Sequence, residues 1–533
     1  MKRRLLAIFL AAAVLTGCAT GAVNPSEEQT SDTSSTAAPT VTTAPEQTLQ
    51  SSVKETQPLP IFAETDMGEM DFSPAECYKL YEAEDGELYG YAKEASLREG
   101  FSGRGYVSGA SLPDSGVVVN MDIESSQHYS LTICAAADRS IDGAIYVDDV
   151  AVGSFSFEGV GSFEAVKIDN IYMPTGKTEI GIKDLSGECD IDFILLENAR
   201  DIYNLDYSVS GELCSKASSE KTAKTFKYLC ELYGDVLISS QQCSQGSNTE
   251  IDAIAAVTGK YPAIRFGELM GYSAGVDTGD IELAIEYANN GGLIGYVWNW
   301  MKNGSCYLDK SGFDIKKVMT DHDAARFSPE RIEELASNGG ITAECAETIR
   351  EIDLIAEQLK RLSEEGIPVI FRPLPEAGNG SFWWGADRES YLKLYRLIYD
   401  RLTAYHRLNN IIWVWNAQNL DWYVGDDYCD IISLDIYDYS NSQWDNQSYI
   451  SAMLRLNALS GEKPLAISEC NVLPAPANIA KDNAYWLYAS LWSGDCATDE
   501  TGELSERYIS RAEWIVFYNC SNVVTRDRLI SIN

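Results

Sequence analysis

The sequence predicts an α/β fold class: a (β/α)8 TIM barrel with an antiparallel β-sandwich in front of it. Three observations carry that expectation. From about residue 211 onwards, near-continuous apolar runs alternate with amphipathic helical segments, the pattern of a parallel sheet buried on both faces. Between about 76 and 197, shorter runs alternate apolar and polar residues and are separated by turn residues, as antiparallel strands over a core are. A chain of 533 residues is also too long for one compact core, so more than one domain is expected.

The elements follow in chain order. Lys2, Arg3 and Arg4 precede an apolar stretch, Leu5 to Leu15, too short to span a bilayer. The tetrapeptide "LTGC" that follows resembles a bacterial lipoprotein signal, so residues 1–18 are expected to be a leader ending at a lipidated Cys18. That implies a membrane partner through a lipid anchor, with the folded part facing outside the cell. Residues 19–75 are rich in Ser, Thr, Pro, Glu and Gln and bury too little to fold, which predicts a disordered tether. The sandwich is expected over 76–198, with strands in "GVVVNMDI", "YSLTICAA", "GAIYVDDVAVGSFSF", "AVKIDNIYM", "TEIGIKD" and "CDIDFILLEN".

The barrel is expected over 211–533. Its eight strands read as "DVLISSQQ", "YPAIRFG", "GLIGYVWNW", "IPVIFRPLPE", "NIIWVWN", "DIISLDIY", "PLAISE" and "EWIVFYN". Helices such as "AETIREIDLIAEQLKRLSEEG" and "RESYLKLYRLIYDRLTAYH" carry apolar residues three and four apart between them.

Composition narrows the partners. The net charge of −39 repels polyanions, so nucleic acid is excluded as a partner. The 30 tyrosines and 11 tryptophans suit flat apolar ligands such as the faces of sugar rings. Beyond Cys18 the cysteines are scattered without a CxxC pair, which argues against a zinc site and leaves disulfide pairing open.

A barrel of this kind carries its active site at the C-terminal ends of the strands. Strand four ends at Glu376 and strand seven at Glu469, so both carboxylates are expected at one mouth. Two facing carboxyl groups are what glycosidic cleavage needs: one gives a proton to the leaving oxygen, the other attacks or stabilises the oxocarbenium-like centre. Arg372 is expected to orient carboxylates through its fork of donors.

The stretch "FRPLPEAGNGSFWWG" resembles the strand-four signature of glycoside hydrolase family 26, barrels that cleave β-mannans and some related β-glycans. "GKYPAIRFGELM", Trp298 and Trp300, "WVWN" and "SLDIYD" extend the likeness over nearly all of 211–533. The resemblance implies Glu376 as acid/base, Glu469 as nucleophile and Tyr437 as the tyrosine bonded to it, with no catalytic cofactor. Trp300, Trp384, Asn299 and Trp514 are expected to meet the polysaccharide with Arg372 and Tyr437. The sequence departs from the family where Pro375 and Asn299 replace the usual histidines, and proline has no side-chain donor. A β-1,3-1,4-glucanase or xylanase, or a catalytically silent surface glycan-binding lipoprotein, therefore stand as alternatives to a β-1,4-mannanase. In the sandwich, "YEAEDGELYG", "GRGYVSG" and "IDFILLE" resemble carbohydrate-binding modules of the family 35 and family 6 type, jelly-roll β-sandwiches. That likeness implies a structural calcium held by Glu82, Glu84 and Asp192.

Overall fold

The computed structural model describes residues 58–67, 74–111, 115–199, 202, 205–302, 304, 306, 313–438 and 448–532. The leader, Cys18 and the tether up to residue 57 lie outside the described residues. No helix among the described residues is long and apolar enough to cross a membrane.

Two antiparallel sheets build the sandwich. One orders Lys93–Ala95, Tyr106–Ala110, Cys189–Asn198, Gln127–Ala136 and Phe163–Met173, with Tyr78–Glu82 also paired to Cys189–Asn198. The other orders Glu87–Tyr89, Gly116–Ile123, Gly176–Lys183, Ile141–Val147 and Val150–Phe157. Alternation does the folding: Val117, Val119, Met121 and Ile123 point inward from one strand and meet Leu131, Ile133, Ile194 and Leu196 from the facing sheet.

The barrel closes on eight parallel strands: Leu237–Gln242, Ile264–Glu268, Leu293–Trp298, Val369–Pro373, Ile411–Trp415, Ile431–Ile436, Leu465–Cys470 and Tyr488–Leu491. The last pairs back to the first through Ile238 and Tyr488. The expected eighth strand is not the observed one. "EWIVFYN" lies in the helix Arg511–Tyr518, and strand eight is the four-residue run "YASL". A capping box starts that helix: Ser510 accepts from the Glu513 N–H while the Glu513 carboxylate accepts from the Ser510 N–H. Trp514, Phe517 and Tyr518 then fall on one buried face at helical spacing.

The tether is shorter than expected as well. Residues 58–67 lie against the barrel: the Thr65 N–H donates to the Asn519 carbonyl at 2.8 Å, and Met67 is buried. A barrel end that bonds the chain in both directions orders a segment whose composition alone would not fold. The sandwich meets the barrel at a polar seam. Ser451 donates to the Asn170 carbonyl at 2.8 Å, and buried His128 lies 3.2 Å from Asp482.

Candidate active site

Glu376 and Glu469 reach one mouth. One oxygen from each of Glu376, Asp435 and Glu469 lies within 4.8 Å of the others, and among the described residues this is the one carboxylate cluster so close. Asp435 stands beside Glu469 in the register of strands six and seven.

One cation organises the three acids. Arg372 is fully buried; its Nη1 donates to both oxygens of Asp435 at 3.0 Å, and its Nη2 donates to Glu469. Burial alone would push this guanidinium down, but Asp435 and Glu469 outweigh it and hold it above its ordinary value. The other oxygen of Glu469 accepts from the Tyr437 hydroxyl at 2.7 Å. Glu469 is thus aimed by two donors from different parts of the barrel, with 6% of its surface left exposed.

Glu376 is held differently. The backbone turns into the left-handed region at Leu374 (φ 52°) and again at Glu376 (φ 53°), with Pro375 between. Each such residue costs about 1 kcal/mol or more, so something must over-determine it. Strand five does this: the Glu376 N–H donates to the Asn416 carbonyl at 2.9 Å and to its side-chain oxygen at 3.2 Å. The Glu376 carboxyl, half-buried, accepts from Asn379 at 2.8 Å. Burial first, then the Glu469 charge, raise its pKa above the usual carboxylate value, while Arg372, Asp435 and Asn379 pull the other way. Three acids against one guanidinium leave excess negative charge when all are ionised. Burial also drives Asp435 well up. Yet the Asp435 oxygens face donor hydrogens from Arg372 and Asn416, which favour its charged form, so Glu376 is the acid with room for a proton.

The aromatic wall differs from the expected one. Trp300 and Trp384 are completely buried: Trp300 stacks on Trp298 at 4.0 Å and donates to Glu351, and Trp384 donates to the Pro375 carbonyl at 2.8 Å. They brace the mouth and offer no face to a sugar. Phe382 is the half-exposed ring of that loop, stacked on Trp384 at 4.6 Å with a 6° interplanar angle. Trp514 leaves the site altogether, since it is buried in the helix Arg511–Tyr518 and donates to Ser505 at 3.2 Å. With the true strand eight in place, half-exposed Trp492 follows its end, its backbone N–H donating to the Cys470 carbonyl at 2.8 Å, one residue after Glu469. The misplaced strand hid it.

Two further polar groups escaped the sequence. Asp435, near the end of strand six, stands two residues before Tyr437, a period-two relation that "SLDIYD" contains. Glu268, at the end of strand two, accepts from Asn299 Nδ2 at 2.7 Å and from the Asn299 and Met270 N–H groups at 3.1 and 2.9 Å. The twelve described cysteines are all free thiols, most of them buried.

The expected calcium ligands gather around one loop of the sandwich, without an approach as close as that of the barrel acids. Glu82 accepts from Ser102 at 2.6 Å, Asp192 from the Ser102 N–H at 2.9 Å, and Glu84 from the Gly105 N–H at 3.1 Å. Glu84 Oε2 is buried with no hydrogen-bond partner, so the donor set fits a hard cation.

Comparison with known proteins decides the family. Residues 214–527 match the model of "Glycosyl hydrolase family 26". The chain belongs to glycoside hydrolase family 26. It is 28% identical to a mannan endo-1,4-beta-mannosidase of Thermothelomyces thermophilus over 86% of this chain and 91% of the relative. A Bacillus subtilis (strain 168) mannan endo-1,4-beta-mannosidase is 30% identical over 46% of this chain and 66% of its own. Among solved structures, the Podospora anserina β-(1,4)-mannanase that joins family 26 to a family 35 carbohydrate-binding module superposes with a TM-score of 0.56 at 29% identity. The match covers 85% of this chain and 98% of that one.

Proposed function

We propose that this family 26 protein is a retaining endo-β-1,4-mannanase acting on galactomannan or glucomannan. The observation that carries the reading is that one oxygen of Glu376 lies within 4.8 Å of one oxygen of Glu469, close enough for both to serve one anomeric carbon. Retaining glycosidases keep their two carboxyls about 5 Å apart, and inverting ones leave at least about 6.5 Å for a water. In the first step a Glu469 oxygen bonds to the anomeric carbon as the glycosidic C–O bond breaks, and Glu376 gives its proton to the leaving oxygen. In the second, ionised Glu376 takes a proton from water, whose oxygen bonds to the anomeric carbon and releases Glu469. Arg372 and Tyr437 hold Glu469 in line for both. The curated relatives named above are mannanases, which supports mannan as the polymer.

A second reading, β-1,3-1,4-glucan or xylan on the same machinery, draws on Pro375 and Asn299. They take the place of two polar rings beside the acids, and Asn299 is then the side chain left to meet the sugar. A silent glycan-binding role has less support, because a binding site needs no proton donor beside a carboxylate. Reducing sugar released from galactomannan, glucomannan, xylan and mixed-linkage β-glucan separates the three. Release from the mannans, with retained anomeric configuration by NMR, is expected. No release from any of them sinks the hydrolase reading.

Two further parts belong to the proposal. In the sandwich, Glu82, Glu84 and Asp192 would hold a structural calcium, which would add to the bonds that already tie Ser102 to Asp192. The basic leader and "LTGC" support a lipid anchor on Cys18 that keeps the enzyme at the outer face of the cell membrane. Metabolic labelling with a palmitate analogue, lost in Cys18→Ala, tests the anchor.

A further inference from the structure

Glu268 is unused by the mechanism above, and its place argues for a role. In the barrel register Glu268 stands beside Val297, and Val297 beside Arg372. Neighbours across parallel strands point to the same side, and Arg372 points inward, so Glu268 enters the barrel in the layer of Arg372. Three donors fix it: the Met270 N–H, the Asn299 N–H and Asn299 Nδ2. Two of them converge on Oε1, which leaves Oε2 with a single partner and a lone pair to spare. Glu268 keeps partial exposure at the end of its strand, where Arg372 has none. With its amide hydrogens turned to Glu268, Asn299 presents its oxygen, a second acceptor.

We propose that Glu268 and Asn299 form an acceptor pair that binds the hydroxyls of the sugar held in the barrel mouth. The pair does the work of orientation where Pro375 offers no side-chain donor. This rests on the glycan-hydrolase reading and assigns the site a residue that its catalytic chemistry does not require. A charged acceptor makes a stronger bond to a hydroxyl than a neutral one. Burial pushes the Glu268 carboxyl up to about 7, against the Asn299 and Met270 bonds and the charge of Arg372. The ionisable groups facing it are Arg372 from strand four and Cys306 from the segment after strand three. Sugar affinity should therefore weaken as pH falls through about 7.

The test pairs kinetics with binding. In Glu268→Gln and Asn299→Ala, KM for mannohexaose is expected to rise about tenfold with kcat within a few-fold, and the change of KM near neutral pH is expected to vanish in Glu268→Gln. Calorimetry of mannohexaose on a Glu469→Ala background reads the same loss without turnover, so the affinity is measured whether or not the enzyme cleaves that polymer. Unchanged affinity and an unchanged pH dependence in both variants overturn the inference. So does a loss confined to kcat and thermal stability, which marks a purely structural acid.

Discussion

The protein holds two clusters of acids, one at the barrel mouth and one at the edge of the sandwich, and they are neutralised in different ways. In the barrel, Arg372 sits among Glu376, Asp435 and Glu469 and divides its donors between two of them. In the sandwich, Glu82, Glu84 and Asp192 face backbone N–H groups and one serine hydroxyl. The nearby Arg104 turns its charge to Asp85 and its Nη2 to the Glu84 carbonyl. A resident guanidinium leaves no need for an ion and lets one acid keep a proton, which suits chemistry. Dipoles alone leave negative charge uncompensated, which suits a cation. Similar side chains thus sit in different electrostatic settings, and the proposed calcium belongs to the second.

Removing Glu469 is the most direct way to break the barrel half of this contrast. Glu469→Ala is expected to lower kcat on galactomannan by about 10⁴-fold or more while the fold persists, as measured by turnover and circular dichroism. A smaller effect separates donor from nucleophile. Glu376→Gln should cost about 10²–10⁴-fold on polymer, and far less on a dinitrophenyl glycoside whose leaving group needs no proton. The raised carboxyl of Glu376 also fixes the sign of the pH response. Its acid form persists above the ordinary carboxylate range, so kcat/KM holds there and falls at higher pH as the proton leaves. Glu376→Gln should erase that basic limb with the dinitrophenyl substrate.

Tyr437→Phe removes one charge-assisted bond to Glu469, and kcat is expected to drop about 10–100-fold with KM little changed. The smallest effect belongs to the sandwich. Millimolar calcium should raise its melting temperature by about 2–6 °C over a chelated sample, and Glu84→Gln should abolish that shift with activity on short oligosaccharides intact. Calcium that instead alters turnover and leaves the sandwich melting unchanged would erase the distinction between the two clusters.

Much of this was legible in the chain because its signals are local. Seven barrel strands are apolar runs closed by polar residues, and Glu376 and Glu469 stand out as the acids just beyond or at the ends of two of them. The eighth strand was not legible. "YASL" is four residues long, while "EWIVFYN" is richer in strand-forming residues, and only the capping pair Ser510 and Glu513 marks it as a helix. That one error carried Trp514 into the site and hid Trp492, which follows the true strand eight. Trp300 and Trp384 failed for another reason. Beyond the end of a strand no periodicity says which side a ring takes, and here packing on Trp298 and Phe382 decides. Glu268 was hidden because its partner Asn299 is close only across the sheet.

The double left-handed turn through Leu374 and Glu376 matters to anyone who transplants this motif. The acid takes its aim from Asn416, which receives the Glu376 amide on a neighbouring strand. A host barrel given the fourth-strand peptide alone would let it relax to an extended course and swing the proton donor off target, so both loops have to travel together.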